Sequence, residues 1–172
     1  MQLLCVLSLL VALVPGSQAT APKPQATKPA PAPAPAQAPA ATAKGGGRTV
    51  ELTGADDMKY NTTTITAKPG EALHIVLKNT GTIPKIAMSH NFVLLALAAN
   101  VDDFIKASMG AQATDYIPAD KKAQVLASTK LAGPNETVEV SFKAPAKPGS
   151  YPFMCTFPGH YAAGMKGTLV VK

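Results

Sequence analysis

The sequence has no tryptophan, 5% aromatic residues and two cysteines in 172 residues. Cys5 and Cys155 alone cannot build a disulfide framework, so a small disulfide-held fold is excluded. No apolar run reaches the roughly 18 to 20 residues that span a bilayer, which excludes a polytopic membrane protein. Charged residues are sparse, 15%, with a formal net charge of +6. Three of the cations, Lys23, Lys28 and Lys44, precede Arg48, and from Arg48 onward 13 basic residues stand against 10 acidic ones. These are scattered singly except for Lys121-Lys122. Nucleic-acid binders gather Lys and Arg on one face, often with stacking aromatics, so a solvated, mildly basic surface and no nucleic-acid partner are expected. Three histidines are too few for an enzyme with several imidazole-held metal sites.

Proline is plentiful but uneven: seven of 16 lie between Pro22 and Pro39. Residues 1–19 read as a signal peptide, or an anchor if retained. Leu3 to Val14 is an apolar run of h-region length, Pro15-Gly16 breaks it, and Ser17-Gln18-Ala19 supplies small residues for cleavage. Residues 20–47 read as a disordered linker, since alternating Pro and Ala favour extended polyproline II and bury nothing. Gly45-Gly46-Gly47 would give it a flexible joint. A tether implies something held at its far end, hence export to the periplasm or envelope surface with a possible membrane attachment.

From Arg48 to the end, 48–172, short β-type runs alternate with turn signals. Thr49–Thr53, Thr62–Thr66, Glu71–Lys78, His90–Leu97, Thr137–Phe142, Tyr151–Thr156 and Gly167–Val171 give seven or eight strands, an antiparallel sandwich or barrel. Between Ala98 and Lys130 the pattern weakens; Asp102-Asp103 before Phe104, Ile105 and Met109 predicts a short helix, and Ala119–Leu126 another helical turn.

The chemistry concentrates in Cys155-Thr-Phe-Pro-Gly-His160-Tyr-Ala-Ala-Gly-Met165. One Cys, one His and one Met straddle a Pro-Gly turn between strand-like runs, so a hairpin loop would aim all three into one small volume. Thiolate and thioether are soft ligands and imidazole is borderline, a set suited to copper in both oxidation states. Two His, one Cys and a weak axial Met mark an electron-transfer copper site. The second histidine is His74 or His90. His90 fits better, because the loop after Pro84 leads through Met88-Ser89 into an apolar strand, whereas His74 beside Ile75 reads as a surface residue. Each residue alone has a bland reading, Cys155 as a small buried hydrophobe and Met165 as core filling. A Cys/His nucleophile pair lacks an orienting carboxylate, and a structural zinc site would want more ligands.

At these residues the sequence resembles the cupredoxins, specifically the azurin and auracyanin group of type 1 blue copper proteins. MKYNTTTITA, LKNTGTIPKIAMSHNFVL, TDYIPADKKAQVLASTKLAG and PFMCTFPGHYAAGMKGTLVVK all look like azurin segments. The resemblance implies a Greek-key β-sandwich or barrel of seven to eight strands with a short helical flap insertion. It implies one type 1 copper held by His90, Cys155 and His160, with Met165 axial. Asn91 would tether the two ligand loops by hydrogen bonds, and Ser89 stands where azurins place glycine, implying a four-coordinate site. Four residues separate His160 from Met165, as in auracyanins and plastocyanins. The implied activity is non-enzymatic electron transfer between respiratory or photosynthetic partners, a cytochrome c-like donor or terminal oxidase-like acceptor. These would dock transiently around the edge of His160, which is expected at the surface, on Met88, Phe157, Pro158, Tyr161, Ala162 and Ala163. A periplasmic copper carrier or buffer is the alternative, and a metal-free adhesion sandwich on a stalk is a third.

Overall fold

The structure, a computed structural model, describes residues 41–42 and 47–172. The expected signal peptide, Cys5 and nearly all of the expected linker lie outside the described residues. Ala41–Thr42 (β1) makes a two-residue antiparallel pairing with Arg48–Gly54 (β2). The remaining strands are Thr64–Ala67 (β3), Ala72–Asn79 (β4), Val93–Leu95 (β5), Val125–Ser128 (β6), Thr137–Lys143 (β7), Gly149–Met154 (β8) and Lys166–Val171 (β9). They form two sheets, in the orders β1-β2-β4-β7 and β3-β9-β8-β5-β6.

Period-2 alternation builds the sandwich. On β4, Leu73, Ile75 and Leu77 are buried while Ala72, His74 and Val76 lie on the other face. Val50 and Leu52 of β2, Ile65 and Ala67 of β3, Tyr151 and Phe153 of β8, and Leu169 and Val171 of β9 complete one core between the sheets. Two pairings depart from the antiparallel expectation: β2 runs parallel to β4 and β3 parallel to β9. Alternation tells which face a residue takes but not the direction of the neighbouring strand, so these pairings left no local mark.

The run Phe92–Leu95 is apolar at every position because both faces of β5 are covered. Phe92 and Leu94 enter the main core, whereas Val93 and Leu95 join Phe104 and Met154 in a second cluster. That cluster lies under the helix Val101–Ser108 (α1). The Asn100 side chain caps α1 by accepting the Asp103 backbone N–H at 3.1 Å, and Asp102 and Asp103 suit the positive end of the helix dipole. Two expectations needed adjustment here. The strand expected over His90–Leu97 shortens to Val93–Leu95, with Leu97 exposed. The helical turn expected over Ala119–Leu126 is a 3-10 segment, Ala119–Gln124, which gives way to β6 at Val125.

Candidate metal centre

Four chain segments converge at one end of the sandwich. β8 ends at Met154 and delivers Cys155; β9 begins just after Met165; β5 is entered through His90; and β2 ends at Gly54. The loop from Cys155 to Met165 contains a single helical turn, His160–Ala163 (α2), bounded by Gly159 and Gly164 with φ of 85° and 102°. Both lie in the left-handed region that glycine occupies without strain. The Met165 N–H donates to the His160 carbonyl at 2.9 Å and the Cys155 N–H to the Met165 carbonyl at 3.0 Å, which closes the loop on itself.

His90 is pinned from the other side. It exchanges two backbone hydrogen bonds with Ala132, at 3.0 and 2.8 Å, and Asn79 Nδ2 donates to the same Ala132 carbonyl at 3.0 Å. Asn91, next along, joins the two segments. Its Oδ1 accepts the Thr156 N–H at 2.9 Å, and its Nδ2 donates to Thr156 Oγ1 at 2.9 Å and to the Asp115 carbonyl at 3.0 Å. The buried Tyr60 hydroxyl donates to the Asn91 carbonyl.

The result is a cluster of His90, Cys155 and His160 whose ligand atoms all lie within 4.8 Å of one another, every one of the three buried. His90 Nδ1 stands 3.2 Å from His160 Nδ1, and Cys155 Sγ stands 3.4 Å from His160 Nδ1. Two atoms each about 2 Å from one ion in tetrahedral geometry would sit about 3.3 Å apart, so this spacing fits donors sharing a single ion. Met165 is wholly buried, and its methyl carbon and the His90 ring both crowd Gly54: a Cβ there would lie 2.6 Å from Met165 Cε and 2.9 Å from His90 Cδ2. Ser89 is buried as well, with its carbonyl 3.8 Å from Cys155 Sγ and its hydroxyl donating to the Lys85 carbonyl.

The electrostatics of these donors suit a soft cation. Burial pushes the His160 imidazolium down to about 4, with the neighbouring His90 adding to the effect. Burial lowers His90 too, partly offset by the carboxylates of Asp56 and Asp57. Burial pushes the Cys155 thiol up to about 12, although the backbone amides of Asn91 and Phe157 favour its thiolate. Both imidazoles are therefore neutral and ready to donate lone pairs near neutral pH. A bound metal supplies the positive charge that makes the thiolate affordable and displaces its proton.

His74 is not brought to this end. It lies half-buried on the outer face of β4, with Nε2 3.1 Å from Glu139 Oε2. His160 differs from expectation: its ring is 2% exposed, not open at the surface, because Phe157 packs over it with ring centroids 4.8 Å apart. Tyr116 in turn lies edge-on to Phe157 at 5.3 Å. Around that cover, Pro158 and Ala162 are exposed and Met88, Phe157, Tyr161 and Ala163 half-buried. Sequence reasoning did not single out Gly54, Tyr60, Asn79 or Thr156. Only Gly54 carried a signal, a glycine ending an alternating strand, which can mark a close approach.

A family model described as copper binding proteins, plastocyanin/azurin family, matches residues 48–172. The outer membrane protein H.8 of Neisseria meningitidis is 44% identical over 110 residues, covering 62% of this chain and 58% of that protein. This chain thus matches little more than half the length of that relative. The azurin of Pseudomonas aeruginosa is 39% identical over 127 residues, 72% of this chain and 84% of the azurin. Among solved structures, auracyanin A of Chloroflexus aurantiacus, titled a "blue" copper protein, superposes with a TM-score of 0.64 at 36% identity. It covers 72% of this chain and 98% of the auracyanin.

Proposed function

The chain belongs to the plastocyanin/azurin family of copper-binding proteins and takes one type 1 copper, and from that premise we propose that it is an electron carrier of the cell envelope. In this reading His90, Cys155 and His160 would hold the copper and the thioether of Met165 would add a weaker fourth donor. The observation that carries the reading is the buried triad, three donor atoms within 4.8 Å held by hydrogen bonds between two separate segments. When bound, copper supplies a one-electron couple, Cu(I)/Cu(II).

The chain's own residues do the rest. Asn91 and the Ala132 bridge fix the donors before the metal arrives, so little rearrangement accompanies a change of charge. Burial keeps water from the site. The Asn91 and Phe157 amides favour negative charge on the Cys155 sulfur. Electrons leave and enter through His160 and the Phe157 ring covering it. The docking surface comprises Met88, Phe157, Pro158, Tyr161, Ala162 and Ala163. It is small and apolar, suited to brief encounters below about 1,200 Å² with a cytochrome c-like donor or a terminal oxidase-like acceptor. The outer-membrane relative supports an exported, envelope-exposed location, with the segment before Arg48 as signal and tether.

Addition of one equivalent of Cu(II) to the metal-free protein tests this. An intense blue thiolate-to-copper absorption is expected, bleached by ascorbate and absent from Cys155→Ser. Copper binding without that band would favour a carrier, and no copper binding would sink both readings.

A further inference from the structure

Gly54 stands against two groups of the metal centre, the Met165 methyl and the His90 ring. Its own backbone cannot retreat. Gly54 is in register with Asn79 of β4, its carbonyl accepts the Thr80 N–H at 2.8 Å, and it bridges Tyr60 on the other side. Nor does its conformation demand glycine, since it ends β2 outside the left-handed region. What excludes a larger residue is the space: a Cβ would come to 2.6 Å of Met165 Cε and 2.9 Å of His90 Cδ2. His90 is held at its backbone by both Ala132 hydrogen bonds, and the Met165 backbone is held by Cys155 and His160. The flexible end of the Met165 side chain is the part left free to move.

We propose that Gly54 is a positioning residue for the axial thioether. The missing side chain leaves the slot into which the Met165 methyl settles, and this sets where the Met165 sulfur stands relative to the plane of the other donors. The strength of an axial thioether tunes a copper centre of this type, so residue 54 tunes the centre without touching the ion. The inference rests on the ligand assignment made above, and it adds a determinant outside the ligand loops.

Gly54→Ala in the full chain tests it, with Met165→Ala and the double variant alongside. The expected result for copper-loaded Gly54→Ala is a shift in the ratio of the thiolate-to-copper bands and in the reduction potential. The same substitution in the Met165→Ala background should produce no further shift, because the clashing methyl is gone. A Gly54→Ala spectrum and potential equal to those of the native protein would overturn the inference. So would an undiminished shift in the Met165→Ala background, which would place the effect on His90. If Gly54→Ala alone fails to fold, a double variant that folds like Met165→Ala supports the methyl clash, and one that also fails refutes it. A native protein that shows no blue band would instead defeat the ligand assignment, and the inference with it.

Discussion

Asn91 serves this centre twice, through its backbone amide beside the Cys155 sulfur and through a side chain that ties two segments together. It satisfies the Thr156 amide, the Thr156 hydroxyl and the Asp115 carbonyl from one side chain. Asn91→Ala strands buried polar groups, each worth about 1–3 kcal/mol when left unpaired. Urea unfolding of the metal-free variant should therefore show a loss of about 2–4 kcal/mol, with Tyr60→Phe losing about 1 kcal/mol for its single bond. At this scale the sequence is readable where the chemistry is local. Cys155, His160 and Met165 lie within eleven positions, and a loop that short brings them together whatever the rest of the chain does. His90 follows from the scarcity of histidines. Asn79 and Thr156 stayed hidden because their partners lie 53 and 65 positions away, and Gly54 offered only its place at the end of an alternating strand, since the His90 and Met165 side chains it abuts lie 36 and 111 positions on.

Among the elements, α1 is an addition to the sandwich, anchored by Phe104 over Val93, Leu95 and Met154. Phe104→Ala should cost about 3–5 kcal/mol in the metal-free protein, while the position and shape of the blue band hold, since no donor leans on that ring. At the far end of the molecule, Glu71 joins β2 to β4. Its Oε1 accepts from Arg48 Nε at 2.7 Å and its Oε2 from the Lys68 amide at 2.7 Å. Burial pushes its pKa up, but the Lys68 amide and Arg48 outweigh that, and the carboxyl titrates below its ordinary value. A lowered folded-state value means the stabilisation is complete above the ordinary carboxylate range and is lost as pH falls through it. Glu71→Gln should accordingly narrow the stability difference between pH 7 and pH 3, by roughly 0.5–1 kcal/mol for so exposed a pair. Strand existence was legible from alternation in β2, β4 and β7, whose inward residues repeat every second position. β6 was obscured because Ala119–Gln124 runs into it without a glycine or proline to mark the change.

For the molecule as a whole, the buried triad couples folding to metal. A ligand bound only by the native state stabilises it by RT ln(1 + [L]/Kd), about 4.1 kcal/mol at a thousandfold excess over Kd. Thermal unfolding should shift upward with copper, return to the metal-free midpoint with a chelator, and show no copper shift in Cys155→Ser. Composition changes near Arg48, where the Pro/Ala pattern stops and alternation begins, although strand pairing already includes Ala41–Thr42. Which strands become neighbours was beyond it, because parallel pairs such as β3 with β9 join segments about a hundred positions apart.

Asn91 and Thr156 are 65 positions apart, and His90 and His160 are 70. In the copper form those links would amount to a clasp on a ring of chain that contains β5, the helical flap, β6, β7 and β8. A covalent link closing a ring of that size would be worth about 4 kcal/mol because it also constrains the unfolded chain, whereas these links exist only once the chain has folded. The described residues hold one free cysteine and no disulfide, so the join between the two ends of that ring rests on the Asn91 hydrogen bonds at all times, and a shared ion would tighten it only while metal is supplied.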